Sequence, residues 1–261
     1  MTRRTEKQQR DVTCTSTTGK KFSFKLKVLD PHVVRKVRIY QLDFSSGSPE
    51  VVYIDGKTGT TYVGTNDILF MALEPDTAEE SSVTWKSSNK KVIAPETVED
   101  DPGTVIFTPK KTGTVTITAT SKSGKKATAK LKVKANKVDK INNAPSKYDM
   151  EDSDAGVSLW LKSMEFKGDQ SMVAEFYVIN ALGTLKQIED VDIDIYGTYQ
   201  GTEYCVASAH FDTIKTNNSK KFAKKIVKLT FTPDQTYHMG WTLMDMNDWY
   251  CDRSIGSWSL K

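Results

Sequence analysis

The stretch TGTVTITATSKSGKKATAKLKV, residues 112–133, decides how the chain is read. Val115, Ile117 and Ala119 alternate with threonines, Ala127, Ala129, Leu131 and Val133 alternate with Thr and Lys, and Ser123-Gly124 stands between the two runs. Successive side chains of a strand point to opposite faces, so this period of two gives each run one apolar and one polar face. The short polar break between them makes the pair a β-hairpin. The same text occurs earlier. Thr15–Val28 (TSTTGKKFSFKLKV) matches Thr120–Val133 (TSKSGKKATAKLKV) at a constant offset of 105 positions. That period is about the length of one small β-sandwich.

Working outward, Val37–Phe44 alternates as an opening strand. Further strands are predicted at Val51–Ile54, Thr60–Val63, Ile68–Leu73, Val83–Ser87, Val92–Ala94 and Thr104–Thr108. Turn chemistry separates them at Ser46-Gly47-Ser48-Pro49, Asp55-Gly56, Pro75-Asp76, Ser87-Ser88-Asn89, Asp101-Pro102-Gly103 and Lys111-Thr112-Gly113. Many short strands at this spacing, with no amphipathic helix among them, predict an antiparallel sandwich.

The residues that carry a family resemblance are Tyr62-Val63-Gly64, Leu73-Glu74-Pro75, Val83-Thr84-Trp85-Lys86-Ser87-Ser88-Asn89 and Lys111–Thr120. Across residues 36–135 they resemble the bacterial immunoglobulin-like group 2 domain of invasin- and intimin-type surface proteins and of some phage structural proteins. The long opening segment Val37–Gly59 departs from the pattern. The resemblance implies a non-catalytic spacer or adhesion module, in which Trp85 plugs the space between two sheets and Gly113 admits the chain to the penultimate strand.

The expected fold is all-β, a tandem of immunoglobulin-like β-sandwiches. Residues 1–30 hold a partial hairpin of a preceding repeat, residues 31–137 the group 2 domain, residues 138–156 a linker and residues 157–261 a C-terminal β-sandwich. Further immunoglobulin-like domains are expected upstream, with Met1 an artificial or fragmentary start. The linker rests on Asn142-Asn143-Ala144-Pro145-Ser146 and the acidic run at Asp149, Glu151, Asp152 and Asp154, read as a solvated hinge in preference to a junctional calcium site. In the last domain Met172, Ala174, Phe176 and Val178 alternate, as do Val191, Ile193 and Ile195, and Val227, Leu229 and Phe231, with Gly240–Met246 and Ile255–Leu260 as a closing pair. This domain more distantly resembles immunoglobulin-like modules of Gram-positive secreted proteins.

Net charge is only +4, with the lysines spread along strands as the polar half of the alternation. That argues against a nucleic-acid surface. No run approaches the apolar length of a membrane span, and the first residues lack a signal peptide's apolar core. Cys14, Cys205 and Cys251 are too scattered for a zinc site. Cys14 aligns with Ala119 and is expected buried, while Cys205 and Cys251 either pair, if the protein is exported, or sit as core thiols.

No catalytic motif, metal framework or cofactor is legible. Asp190, Asp192 and Asp194 fall on the polar half of a strand and are read as surface, and His32, His210 and His238 stand far apart. Asp245, Asn247 and Asp248 offer oxygen ligands without calcium-loop spacing. Aromatic residues crowd the last domain. By alternation Trp241 is assigned to the core, whereas Tyr199 and Tyr204, flanking Gln200-Gly201-Thr202, and Trp249 and Tyr250, in an expected turn, form the candidate contact patch.

The resulting expectation is a non-enzymatic cell-surface or secreted module with a protein or glycan ligand at its C-terminal domain. The alternatives are a carbohydrate-binding accessory module of a larger secreted enzyme and a phage virion structural protein.

Overall fold

A computed structural model describes residues 7–43, 46–78, 82–141, 157–168, 171–180, 185–216, 223–232 and 242–260. The decisive stretch forms β10 (Gly113–Ser121) and β11 (Lys126–Lys134), antiparallel with Ile117 opposite Ala129. Gly124 supplies the left-handed turn residue at φ 84°, and Ser121 N–H donates to Lys125 O across 2.9 Å. Along β11 burial alternates without a break, Ala127, Ala129, Leu131 and Val133 inside and the lysines outside.

Around this hairpin β5 (Thr58–Tyr62) joins β11 in parallel and β7 (Val83–Ser87) joins β10 antiparallel, giving the order β5-β11-β10-β7. A second sheet faces it, β4 (Glu50–Tyr53), β3 (Lys36–Asp43), β6 (Asp67–Glu74), β9 (Asp101–Phe107) and β8 (Glu96–Val98), in the order β4-β3-β6-β9-β8. Ile39, Leu69, Val105 and Phe107 from this sheet fill the interior with Val115, Ile117 and Leu131.

Val92–Ala94 is not the predicted strand. The N–H groups of Val92 and Ile93 both donate to Asn89 O at 3.1 Å, which winds the backbone into a turn while both side chains stay buried. The strand comes later, at Glu96–Val98.

The earlier copy of the repeat, β1 (Lys7–Thr15) and β2 (Lys21–Leu29), pairs with Cys14 opposite Phe22 and forms a two-stranded sheet of its own. Cys14 is exposed, contrary to expectation. The facing sheet that buries Ala119 has no counterpart over Cys14 among the described residues, so the same pattern yields an uncovered face.

The C-terminal part has two more sheets. One is β12 (Lys137–Val138), β13 (Val157–Gly168), β14 (Ser171–Asn180) and β17 (Ala223–Phe231). The other has the order β16-β15-β18, made of β15 (Leu185–Tyr199), β16 (Thr202–Lys215) and β18 (Asn247–Leu260). Leu161, Met172, Phe176, Ile193 and Ile195 are buried between them.

Val138, placed by sequence in the linker, pairs with Met164 of β13, and residues 142–156 lie outside the described ones. The expected closing strand Gly240–Met246 is corrected at Leu243–Asp245, which winds into one 3-10 turn because Thr242 and Asp245 cap its backbone reciprocally. Residues 240–241, and with them Trp241, lie outside the described residues, as does His238.

The two sandwiches meet closely. Phe166 of β13 is buried with its ring over Gly64 of the β5–β6 turn, and the Gly168 α-carbon abuts the Lys110 carbonyl, where a Cβ would come within 2.2 Å of the oxygen. Phe166 N–H donates to Asn136 O at 2.9 Å.

Candidate contact surface on the C-terminal sheet

The β15–β16 hairpin turns at Gln200-Gly201, with φ 49° and 78°, the left-handed pair that a two-residue turn needs to match strand twist. Tyr199 pairs with Thr202 and Gly197 with Tyr204. Directly opposed residues share a face, so Tyr199, Gly197 and Tyr204 all point inward with Ile195. Trp249, on strand β18 and not in a turn, points the same way. Its ring lies on Gly197, where a Cβ would sit 2.6 Å from Cζ3. Tyr199, Tyr204 and Trp249 are partly buried against the core.

Tyr250 takes the opposite face. It lies across β15 from Tyr196, and the rings stack at 5.0 Å between centroids and 9° between planes. The predicted patch is therefore divided by the sheet, three rings inside and one outside. Strand parity across the turn separates residues that are close in sequence.

The outer face holds what that reading missed. Tyr250 hydrogen-bonds Glu203, which pushes the phenol pKa up to about 12. Cys205 shares this face with Tyr196 and, through electrostatics, is the first cause raising the Tyr196 pKa. Asp194 and Asp252 stand opposite each other one step along, and Asp192 follows. His210 Nδ1 lies 2.8 Å from Asp192 Oδ1, and Nε2 lies 3.4 Å from Asp212 and 3.7 Å from Asp190. The Asp192 hydrogen bond leads the influences that raise the His210 pKa. A pairing table of β15 with its neighbours, which needs the strand register, would have brought Tyr196, Glu203 and His210 to notice.

Cys205 and Cys251 are both free thiols. Cys205 opposes Tyr196 and Cys251 opposes Ile195, so the sulfurs lie on opposite faces of one sheet and the proposed pair is excluded by direction. Burial is the largest influence on Cys251 and raises its pKa.

Among the described residues no three His, Cys, Asp or Glu side chains converge as metal ligands would. Asp245 is engaged in capping, accepting from Thr242 N–H at 2.6 Å. A pocket of about 240 Å³ between the group of strands β3, β5 and β6 and the 3-10 turn is lined by Thr61, Thr65, Asp67, Thr242 and Asp245 among others. Burial lifts the Asp67 pKa from 3.8 to about 6, opposed by hydroxyl donors from Thr61 and Thr65. Trp85 is buried in the sandwich built around β10 and β11 and donates Nε1–H to Pro102 O at 3.1 Å. Gly113 opens β10 beside Val92, where a Cβ would meet Cγ2 at an ordinary 3.4 Å.

Compared with known proteins, residues 49–133 match the family model of the bacterial Ig-like domain (group 2). This segment is a bacterial Ig-like domain. The match runs from β4 through β11 and leaves β3, the first strand of the same sandwich, outside it. The group 2 family is non-catalytic and occurs in extracellular or surface proteins. No curated protein matches the chain. No helix among the described residues is long and apolar enough to cross a membrane.

Proposed function

We propose that this chain is a non-enzymatic spacer and contact module of a surface or secreted protein, working beside further immunoglobulin-like units. Its group 2 Ig-like domain holds the C-terminal domain in place, and the outer face of β16-β15-β18 meets the ligand. The observation that carries this reading is the Tyr196–Tyr250 stack on an open face, bordered by Asp194, Glu203 and Asp252. Aromatic rings supply contact area at little entropic cost, and flanking carboxylates orient a partner that carries lysine or arginine.

A basic protein segment suits this face better than a sugar. The two rings stack on one another and so do not lie side by side as a platform for a pyranose, and the surrounding acids favour a cation.

The test is binding of the full chain to immobilised Lys/Arg-rich peptides and to a glycan array, each with wild type and Tyr250→Ala. Peptide binding that Tyr250→Ala weakens about tenfold supports the reading. Glycan binding lost in the same variant transfers the face to a sugar ligand, and binding unaffected by Tyr250→Ala removes the face from the function.

A further inference from the structure

The net charge of +4 conceals two sheet faces of opposite sign. On the Ig-like domain, strands β5, β11, β10 and β7 contain no Asp or Glu. Trp85, Val115 and Leu131 take their inner side, so alternation turns Lys86, Lys126, Lys130, Lys132 and Lys134 outward, and all five are exposed. Threonines fill the space between them. Thr118 pairs with Lys86 on one side and Thr128 on the other, and Thr116 pairs with Lys130.

On the C-terminal domain, the outer face of β16-β15-β18 carries Asp190, Asp192, Asp194, Glu203, Asp212 and Asp252 around the Tyr196–Tyr250 stack. His210 and, at the strand end, Lys215 are the basic residues of that face. Asp194 and Asp252 stand directly opposite each other, and like charges so placed repel. Lys130, Lys132 and Lys134 repel in the same way along β11. Each face is relieved by a surface of the other sign, and this chain carries both.

The spacing matches as well. Three lysines in β11 and three aspartates in β15 recur at every second residue, about 6.6 Å apart, and sheets pack face to face with their strands nearly aligned. Set antiparallel, Lys130, Lys132 and Lys134 meet Asp194, Asp192 and Asp190, and Tyr196 falls over Thr128. We propose that the Lys–Thr face β5-β11-β10-β7 of one copy of this chain docks on the acidic tyrosine face β16-β15-β18 of a second copy. This rests on the reading of the tyrosine face as a contact surface and names its partner. Two Lys–Thr faces, or two acidic faces, would bring like charges together. The contact therefore joins different surfaces and builds a head-to-tail assembly, which closes into a ring only if the rotation between copies allows it.

Sedimentation velocity of the full chain over rising concentration tests this, beside the Lys/Arg-peptide binding described above. Wild type is expected to form species that grow with concentration and dissociate in high salt. Lys130→Glu/Lys132→Glu and Asp192→Lys/Asp194→Lys each reverse one face at outward positions, with unchanged circular dichroism as the check on folding. Each double variant is expected to stay monomeric. The variant carrying all four substitutions again sets opposite charges against each other and is expected to regain association. A wild type that stays monomeric at the highest concentration overturns the proposal. Peptide binding that Tyr250→Ala weakens would then still leave the tyrosine face as a contact surface for another protein. Association that either double variant retains, or that the fourfold variant fails to regain, overturns it as well.

Discussion

Asp67 is a carboxylic acid placed where ionisation is opposed, at the wall of a pocket with two threonine hydroxyls donating to it and burial outweighing them. Its folded pKa of about 6 lies above the unfolded value, so the folded state holds the proton more tightly. The stability this gives is fully present below about pH 4 and is lost as pH rises through about 6, up to about 3 kcal/mol in all. Asn keeps the acceptor oxygen and removes the titration. Asp67→Asn should therefore unfold at a higher urea midpoint than wild type at pH 8, with the gap closing toward pH 4. Midpoints of the two proteins that run parallel between pH 4 and pH 8 would show that burial does not control this group. Trp85 makes a different kind of residue contribution. Its ring is buried and its one polar atom is satisfied by Pro102 O, so Trp85→Ala should cost about 3–5 kcal/mol, and Trp85→Phe, which keeps most of the ring and leaves the carbonyl unpaired, clearly less. Urea denaturation of the two variants reads that order, and equal losses would refute it.

At the scale of elements, strand β15 is the hub of the C-terminal sheet, and Gly197 within it shows how little room its neighbours leave. A methyl there would meet three atoms of the Trp249 ring at 2.6 to 2.9 Å. Gly197→Ala should cost about 1–3 kcal/mol through the displaced ring. The loss should appear in thermal melting together with a changed Trp fluorescence, and a variant identical to wild type in both would place Trp249 elsewhere. The same element explains what the sequence could show. Alternation over Gly113–Lys134 and in β14 was legible because one face of each strand is buried along its whole length. Val92–Ala94 has strand-like side chains, but the Asn89 carbonyl gathers two of its N–H groups, a competition that apolar content does not register. Leu243–Asp245 reads as apolar strand until the capping pair Thr242 and Asp245 is weighed. The tyrosine patch failed for another reason. Which face a ring takes depends on counting residues through the Gln200-Gly201 turn and along β18, and the count puts Tyr199 and Tyr250 on opposite sides although both lie near the turn end of the hairpin. Hairpin β1–β2 carries the alternation of its copy, yet its surroundings come from other strands, which no local pattern encodes.

For the whole molecule, the decisive contact is the junction between the Ig-like domain and the C-terminal sandwich. Phe166 is buried on Gly64 and Gly168 on Lys110, in a contact that admits no extra atom. Domains joined by an open linker unfold independently, whereas a shared apolar seam couples their transitions. The two sandwiches should therefore melt in one calorimetric transition. Gly168→Val inserts a side chain against a backbone carbonyl at a residue whose φ of 85° already disfavours one, so the seam must open. Phe166→Ala instead removes the ring, at a cost of about 3–5 kcal/mol, without forcing anything apart. Calorimetry on Gly168→Val should resolve two transitions, with the Ig-like domain's own transition close to the wild-type temperature. Phe166→Ala should shift the C-terminal transition downward first, since the ring is rooted in β13 and only rests on Gly64. If wild type already melts in two separate steps, the junction carries no coupling and the module bends where these domains meet. If all three proteins melt in one step, the coupling resides outside Phe166 and Gly168.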